Sequence, residues 1–188
     1  MRWSTMGFFF LIVWTSNQLL FAQTPRLVTA EPLRPRRVTS SASTPDSNAI
    51  SPSLAEANSI ERRAFEQTNA ARVKRGLPPF VWDSALCRMA RTHSEQMSRR
   101  GFFSHVTPEG SRLKDRVRSV GILHFTVVGE NIAYNLGYDD PGGFAVENWM
   151  RSPAHRANIL DPGFQSMAVG SFVAADGSVY LTQTFIAR

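Results

Sequence analysis

Two histidines and one carboxylate, carried by three separated segments, are the residues of this chain best suited to chemistry. His105 ends Phe103-Ser-His105, Glu130 sits in Gly129-Glu-Asn-Ile132, and His155 follows a Ser152-Pro-Ala break behind a Trp-containing stretch. Neutral imidazoles are good zinc ligands, and a site with two of them leaves coordination positions for water. Such a site is weak, because most catalytic zinc sites use three protein ligands. A carboxylate beside them either orients an imidazole from behind or acts as a base toward bound water. If His155 lies in the first helical turn after Ser152, the helix dipole disfavours its protonated form and keeps it available as a ligand. Each residue also has a plainer reading: His105 as a loop histidine with a structural hydrogen bond, Glu130 as a carboxylate capping nearby backbone amides.

Other chemistry is poorly served. Neither Gly-x-Ser-x-Gly nor His-Glu-x-x-His occurs, so no familiar nucleophile or zinc-protease arrangement is present. Cys87 is the single cysteine; it forms no internal disulfide, and its place within a helix reads as a buried, inert thiol. His93 shares a helical stripe with Leu86, Met89, Ala90 and Met97, which makes it a core histidine bonded to a neighbour. His124 reads as a surface or rim residue.

These side chains need elements to hold them. A first helix is expected over Ser59–Arg75, stopped by Gly76 and Pro78-Pro79. Phe80-Val-Trp82 is an extended connector. Asp83 is a good N-cap for a second helix reaching Arg100 and ended by Gly101. The loop Phe102–Gly110 carries His105, and Ser111 can cap a third helix over Arg112–Val120. The short segment Thr126–Ala133 carries Glu130. Asp140 and Pro141 open a fourth helix that runs to Arg151. Pro153 biases Ser152 away from helical angles, so Ser152 can cap the short helix that bears His155. At the end, Phe164–Ala174 and Ser178–Ala187 flank Ala175-Asp-Gly177, a hairpin signal. Helices first and a hairpin last give an α+β or layered α/β/α domain.

The N-terminal third reads differently. Arg2, the apolar run Phe8–Trp14 and the small residue Ala22 describe a signal peptide over residues 1–22, with an N-terminal membrane anchor as the alternative. A cleaved leader leaves no transmembrane segment in the mature chain. Residues 23–57 are rich in Pro, Ser, Thr and Arg without apolar periodicity, which predicts a disordered linker. The domain proper is expected over 58–188, long enough for one core. From residue 58 there are 16 Lys and Arg against 12 Asp and Glu. The surplus gathers in Arg99, Arg100, Arg112, Lys114, Arg116 and Arg118, a basic edge that is solvated or faces an anionic envelope surface. An exported chain is a poor partner for nucleic acid.

Six segments in order carry a resemblance: Asn69-Ala-Ala-Arg-Val-Lys-Arg-Gly-Leu-Pro-Pro79, Trp82-Asp83, Phe103–Gly110, Gly129–Ala133, Trp149 with Ser152–Leu160, and Tyr180–Phe185. Together they resemble the CAP superfamily (cysteine-rich secretory proteins, antigen 5, pathogenesis-related 1; SCP domain), in its compact bacterial branch. The resemblance implies a three-layer α-β-α sandwich with an antiparallel sheet and a C-terminal hairpin. It also implies a cleft lined by two His and two acidic residues, in which the histidines can hold a divalent metal such as Zn2+. By motif, His105 and His155 are the metal ligands and Glu130 the first carboxylate. The second carboxylate would stand three residues after Trp149, where this chain has Ser152; Glu147, one turn earlier, is the candidate substitute. The leading functional expectation is a secreted or envelope-associated binding module for an unknown ligand, peptide or cell-envelope component. The alternatives are a metal-assisted or general-base hydrolase with Glu130 as base, and lipid or sterol binding. Oligomeric state is not legible.

Overall fold

The computed structural model describes residues 52–188. The expected signal peptide and most of the Pro-rich segment lie outside the described residues. The end of that segment does not: Pro52–Glu56 forms a 3-10 turn, and Ala57 is buried in the core.

The local signals act as their chemistry predicts. Asn58 opens α1 (Ser59–Val73) with a capping box, its Oδ1 accepting from Glu61 N and its own N–H donating to Glu61 Oε2, both at 3.0 Å. Asp83 caps α2 (Ser84–Arg100) by accepting from the amides of Ala85 and Leu86 at 3.0 Å, and Gly101 in the left-handed region ends it. Asp140 accepts from Gly143 N at the start of α4 (Pro141–Arg151). The helix α3 spans Leu113–Ser119, and Arg112 rather than Ser111 occupies its cap. Ser111 is consumed by the preceding loop, where its N–H donates to Thr107 Oγ1 and its carbonyl accepts from Thr107 N. After Ser152, α5 runs Pro153–Leu160.

Four strands form one sheet: β1 (Val81–Trp82), β2 (Val127–Asn135), β3 (Ser166–Val173) and β4 (Val179–Ala187), in the order β1-β3-β4-β2. The neighbours β3–β4 and β4–β2 are antiparallel, as expected, but the short β1 joins β3 in parallel. The sheet is thus mixed at one edge, and β2 holds the other.

Consecutive residues of a strand point to opposite faces, and β4 shows which helices lie where. Thr182 meets Ser94 of α2, whose Oγ also donates to Gly170 O at 2.9 Å. Gln183 faces away and donates to Thr68 of α1 at 2.9 Å. So α2 covers one face while α1 covers the other, together with α4, whose Trp149 Nε1 donates to Ile132 O. Gly170 permits the α2 contact: a Cβ there would stand 2.1 Å from Arg91 N. Trp149, Phe185, Leu86, Met97, Ile159, Met167, Leu181 and Ile186 fill the core between the layers.

Candidate functional site

The edge strand β2 carries Glu130 and Asn131, and strand alternation sends them to opposite sides. Glu130 lies on the side of α2 and α3. Its Oε1 is 2.8 Å from His105 Nδ1, its Oε2 is 2.5 Å from Arg116 Nη2, and its side chain is 3% exposed. Asn131 lies on the side of α5. Its Nδ2 donates to His155 O at 3.1 Å and to Gln183 Oε1 at 2.9 Å, and its Oδ1 accepts from Asn158 Nδ2 at 2.9 Å. The Gly-Glu-Asn segment therefore grips the ring of one histidine and the backbone of the other.

A carboxylate paired with a guanidinium accepts hydrogen bonds, so His105 donates through Nδ1, and in the neutral ring the lone pair is on Nε2. The His105 side chain is half exposed. Its carbonyl accepts from Arg116 Nη1 at 2.9 Å, so Arg116 holds both the backbone of His105 and the carboxylate on its ring. His155 sits in the first turn of α5 and is half-buried. Burial first, and then the nearby His105, push its pKa below the ordinary imidazole value. Both effects disfavour the protonated ring of His155.

Placement of α5 rests on its far end as well as on Asn131. Arg72 is fully buried and donates through Nη1 to Ile159 O (2.8 Å), in the last turn of the helix, and to Asp161 O (2.9 Å), the residue just after it. Its guanidinium stacks 3.7 Å above the Phe80 ring. Gly129 lets α5 and its following loop close on β2, since a Cβ there would lie 3.0 Å from the Phe164 ring and 3.2 Å from Asn158 Oδ1.

Beside the pair, His105, Val106, Arg112, Leu113, Val128, Gly129 and Glu130 line a hollow of about 350 Å3. Among the described residues no three His, Cys, Asp or Glu side chains converge in a way that could hold a metal ion. Both Glu130 oxygens are engaged, which leaves His105 Nε2 and the His155 ring as the donor set. An ion held there would have two imidazoles as protein ligands, one of them backed by a carboxylate, and would take its remaining positions from solvent or ligand.

The second acidic position is not filled from α4. Glu147 is two residues, about 200° of helix, from Trp149. With Gly142, Ala145, Val146 and Trp149 buried, it faces solvent and pairs with Arg151 at 3.4 Å. Ser152 remains the joint between α4 and α5 and makes no side-chain capping bond. Arg116, expected on a basic edge, is instead buried, and Arg99 and Arg100 pair with Glu95 and Glu109. His93 is buried, with Nε2 3.0 Å from Ser104 O. His124 is exposed. Cys87 is buried, and burial together with Glu61 pushes its thiol up to about 12, which keeps it protonated and unreactive.

Sequence reasoning missed Arg116 and Asn131, though both left a trace. Leu113, Arg116, Val117 and Val120 recur at helical spacing, which puts Arg116 on the apolar stripe of α3. Asn131 follows Glu130 in a strand, so whatever faces one side of β2 through Glu130 is matched on the other through Asn131.

The CAP (cysteine-rich secretory protein family) model matches residues 65–185. Two curated proteins of Bacillus subtilis are similar: the uncharacterized membrane protein YlbC, 40% identical over 68% of this chain and 34% of its own length, and the uncharacterized protein YkwD, 36% identical over 75% of this chain and 52% of its own. The chain thus spans a third to a half of these relatives. Among solved structures, an extracellular SCP-domain protein of Bacillus anthracis superposes with a TM-score of 0.58 at 31% identity, over 69% of this chain and 40% of that one. The chain belongs to the CAP, or cysteine-rich secretory protein, family.

Proposed function

We propose that this chain is a ligand-binding CAP domain working outside the cytoplasm, whose cleft binds a divalent cation weakly, zinc first among candidates, through His105 and His155. One observation carries the reading: Arg116, Glu130 and His105 form a chain of contacts that fixes the ring and leaves Nε2 free. Bound zinc would act as a Lewis acid toward an oxygen or nitrogen of the ligand, a peptide or envelope component being the class in view. The extracellular B. anthracis neighbour and the membrane-protein relative YlbC support an extracytoplasmic address.

A hydrolase with Glu130 as base finds less support. That carboxylate is buried, with a side chain 3% exposed, and each of its oxygens already holds a donor, so it offers little surface to a solvent-side water. Lipid or sterol binding draws on a different place, an aromatic hollow of about 530 Å3 walled by Phe102, Phe103, Tyr134 and Tyr180.

Calorimetric titration with Zn2+ tests the cleft. We expect heat of binding with the wild type and its loss in His105→Ala and His155→Ala; identical heats in all three would sink the metal reading. Retention of a labelled sterol that Phe103→Ala abolishes and the histidine variants do not would move the function to the aromatic hollow.

A further inference from the structure

The imidazole of His105 is held by Glu130; its backbone has a local bond from Val106 N to Ser104 Oγ at 3.1 Å and two carbonyl contacts from beneath. Arg116 Nη1 takes the carbonyl of His105 itself, and His93 Nε2 lies 3.0 Å from the carbonyl of Ser104, the residue just before it. A carbonyl only accepts, so His93 carries its proton on Nε2 and is the donor. His93 is fully buried on α2, and its Nδ1 has no hydrogen-bond partner. That bare nitrogen is a cost a core residue of the same size would not incur. Phenylalanine would fill the space and pack on Phe102, whose ring centroid lies 5.9 Å from that of His93. A histidine at this point in the core therefore has one structural output, the hydrogen bond to Ser104.

That bond matters because of where the loop goes next. The chain leaves α2 at Gly101, and Phe103, Ser104, His105 and Val106 are all exposed. The peptide ahead of His105 gets no apolar anchor from these side chains. With the Ser104 carbonyl free, this peptide can rotate, and rotation swings the ring away from Glu130. His105 would then lose the contact that selects its tautomer.

We propose that His93 is a positioning residue for His105: its Nε2–H···O=C bond to Ser104 fixes the peptide preceding His105, so that the ring meets Glu130 with Nδ1 and presents Nε2 to the cleft. The proposal rests on the cleft reading above only for its functional consequence, since the geometry is read out without any metal.

The test uses the full chain and 15N spectra of its histidine rings. In the wild type we expect His93 as the neutral Nε2–H tautomer with a slowly exchanging proton, and His105 as the Nδ1–H tautomer. A wild-type His93 protonated on Nδ1 would overturn the proposal without any variant. His93→Phe removes the donor while keeping bulk, and should turn His105 into a mixture of tautomers and weaken Co2+ binding about tenfold, the low end for loss of a supporting contact. His93→Gln, whose amide nitrogen can reach the same carbonyl, should restore the wild-type His105 signature. An unchanged His105 in His93→Phe, or Gln behaving like Phe, refutes the role. Absence of Co2+ binding in the wild type would instead strike the metal reading and leave the tautomer result standing.

Discussion

Replacing Glu130 by Gln separates a structural carboxylate from a catalytic one. The substitution keeps the shape of the side chain and removes its charge. In the folded protein that charge faces Arg116, with side chains 3% and 8% exposed, so neither group can fall back on water. Breaking a buried pair by neutralising one partner costs about 3 to 5 kcal/mol, because the other is left uncompensated. Arg116 retains contacts to the carbonyls of His105 and Ser111, which favours the lower end, about 3 kcal/mol. A domain of about 140 residues unfolds with an entropy near 0.3 kcal/mol per kelvin, so the melting temperature should fall by roughly 10 °C. Thermal unfolding followed by circular dichroism reads this directly. Adding Arg116→Met to Glu130→Gln removes both charges, and the double variant should be more stable than the summed single losses by about 2 kcal/mol. A Glu130→Gln protein that melts within about 3 °C of wild type refutes the reasoning. That result, with loss of some hydrolytic turnover, is what a solvent-facing general base would give.

Two further outcomes follow from the same structure. His93 and His155 are both held below the ordinary imidazole value, burial being the first cause in each. The unfolded chain therefore takes up protons, near its ordinary value of about 6.5, that the folded chain resists. Stability should be level above that pH and fall as pH drops below it, and melting curves of His155→Gln should show a shallower acid slope; an equal slope would remove His155 from the account. Arg72→Met should cost about 3 kcal/mol through lost charged hydrogen bonds to buried carbonyls. Because those carbonyls lie in the last turn of α5 and just after it, Zn2+ affinity should fall with stability, whereas an unchanged titration would mean α5 holds His155 without that anchor.

What was legible in the sequence was local. Asp83, Gly101, Asp140, Pro141 and Pro153 each act within one or two residues, and the elements begin or end where they dictate. Less legible were contacts in which a polar residue occupies an apolar position. Arg72 and Arg116 lie on buried helix faces, where a charge count assigns such residues to the surface by default; His93 is legible as a core histidine from its helical stripe, but its partner Ser104 is not. Their partners are mostly backbone carbonyls of distant loops, which leave no signature in residue types. Glu147, the candidate substitute from the turn before Ser152, is turned away by helix phase, since two steps from Trp149 reach the opposite face, where it pairs with Arg151.

The two histidines belong to different layers of the sandwich, and this explains why the Gly-Glu-Asn segment had to be a strand at the sheet's edge. A helix would put consecutive side chains about 100° apart, both toward one layer or neither. A strand sends Glu130 to the ring of His105 and Asn131 to the backbone of His155 from adjacent residues. An edge position leaves no further strand between the layers, so the rings can approach each other around β2. Glycine at position 129 then lets α5 and its following loop close down onto the same strand. One short backbone segment thus contacts both histidines, while Arg72 anchors the far end of α5 and Arg116 the backbone of His105. Side chains held from several elements at once are better fixed than side chains on a single free loop, which is what the proposed binding of a ligand in this cleft requires.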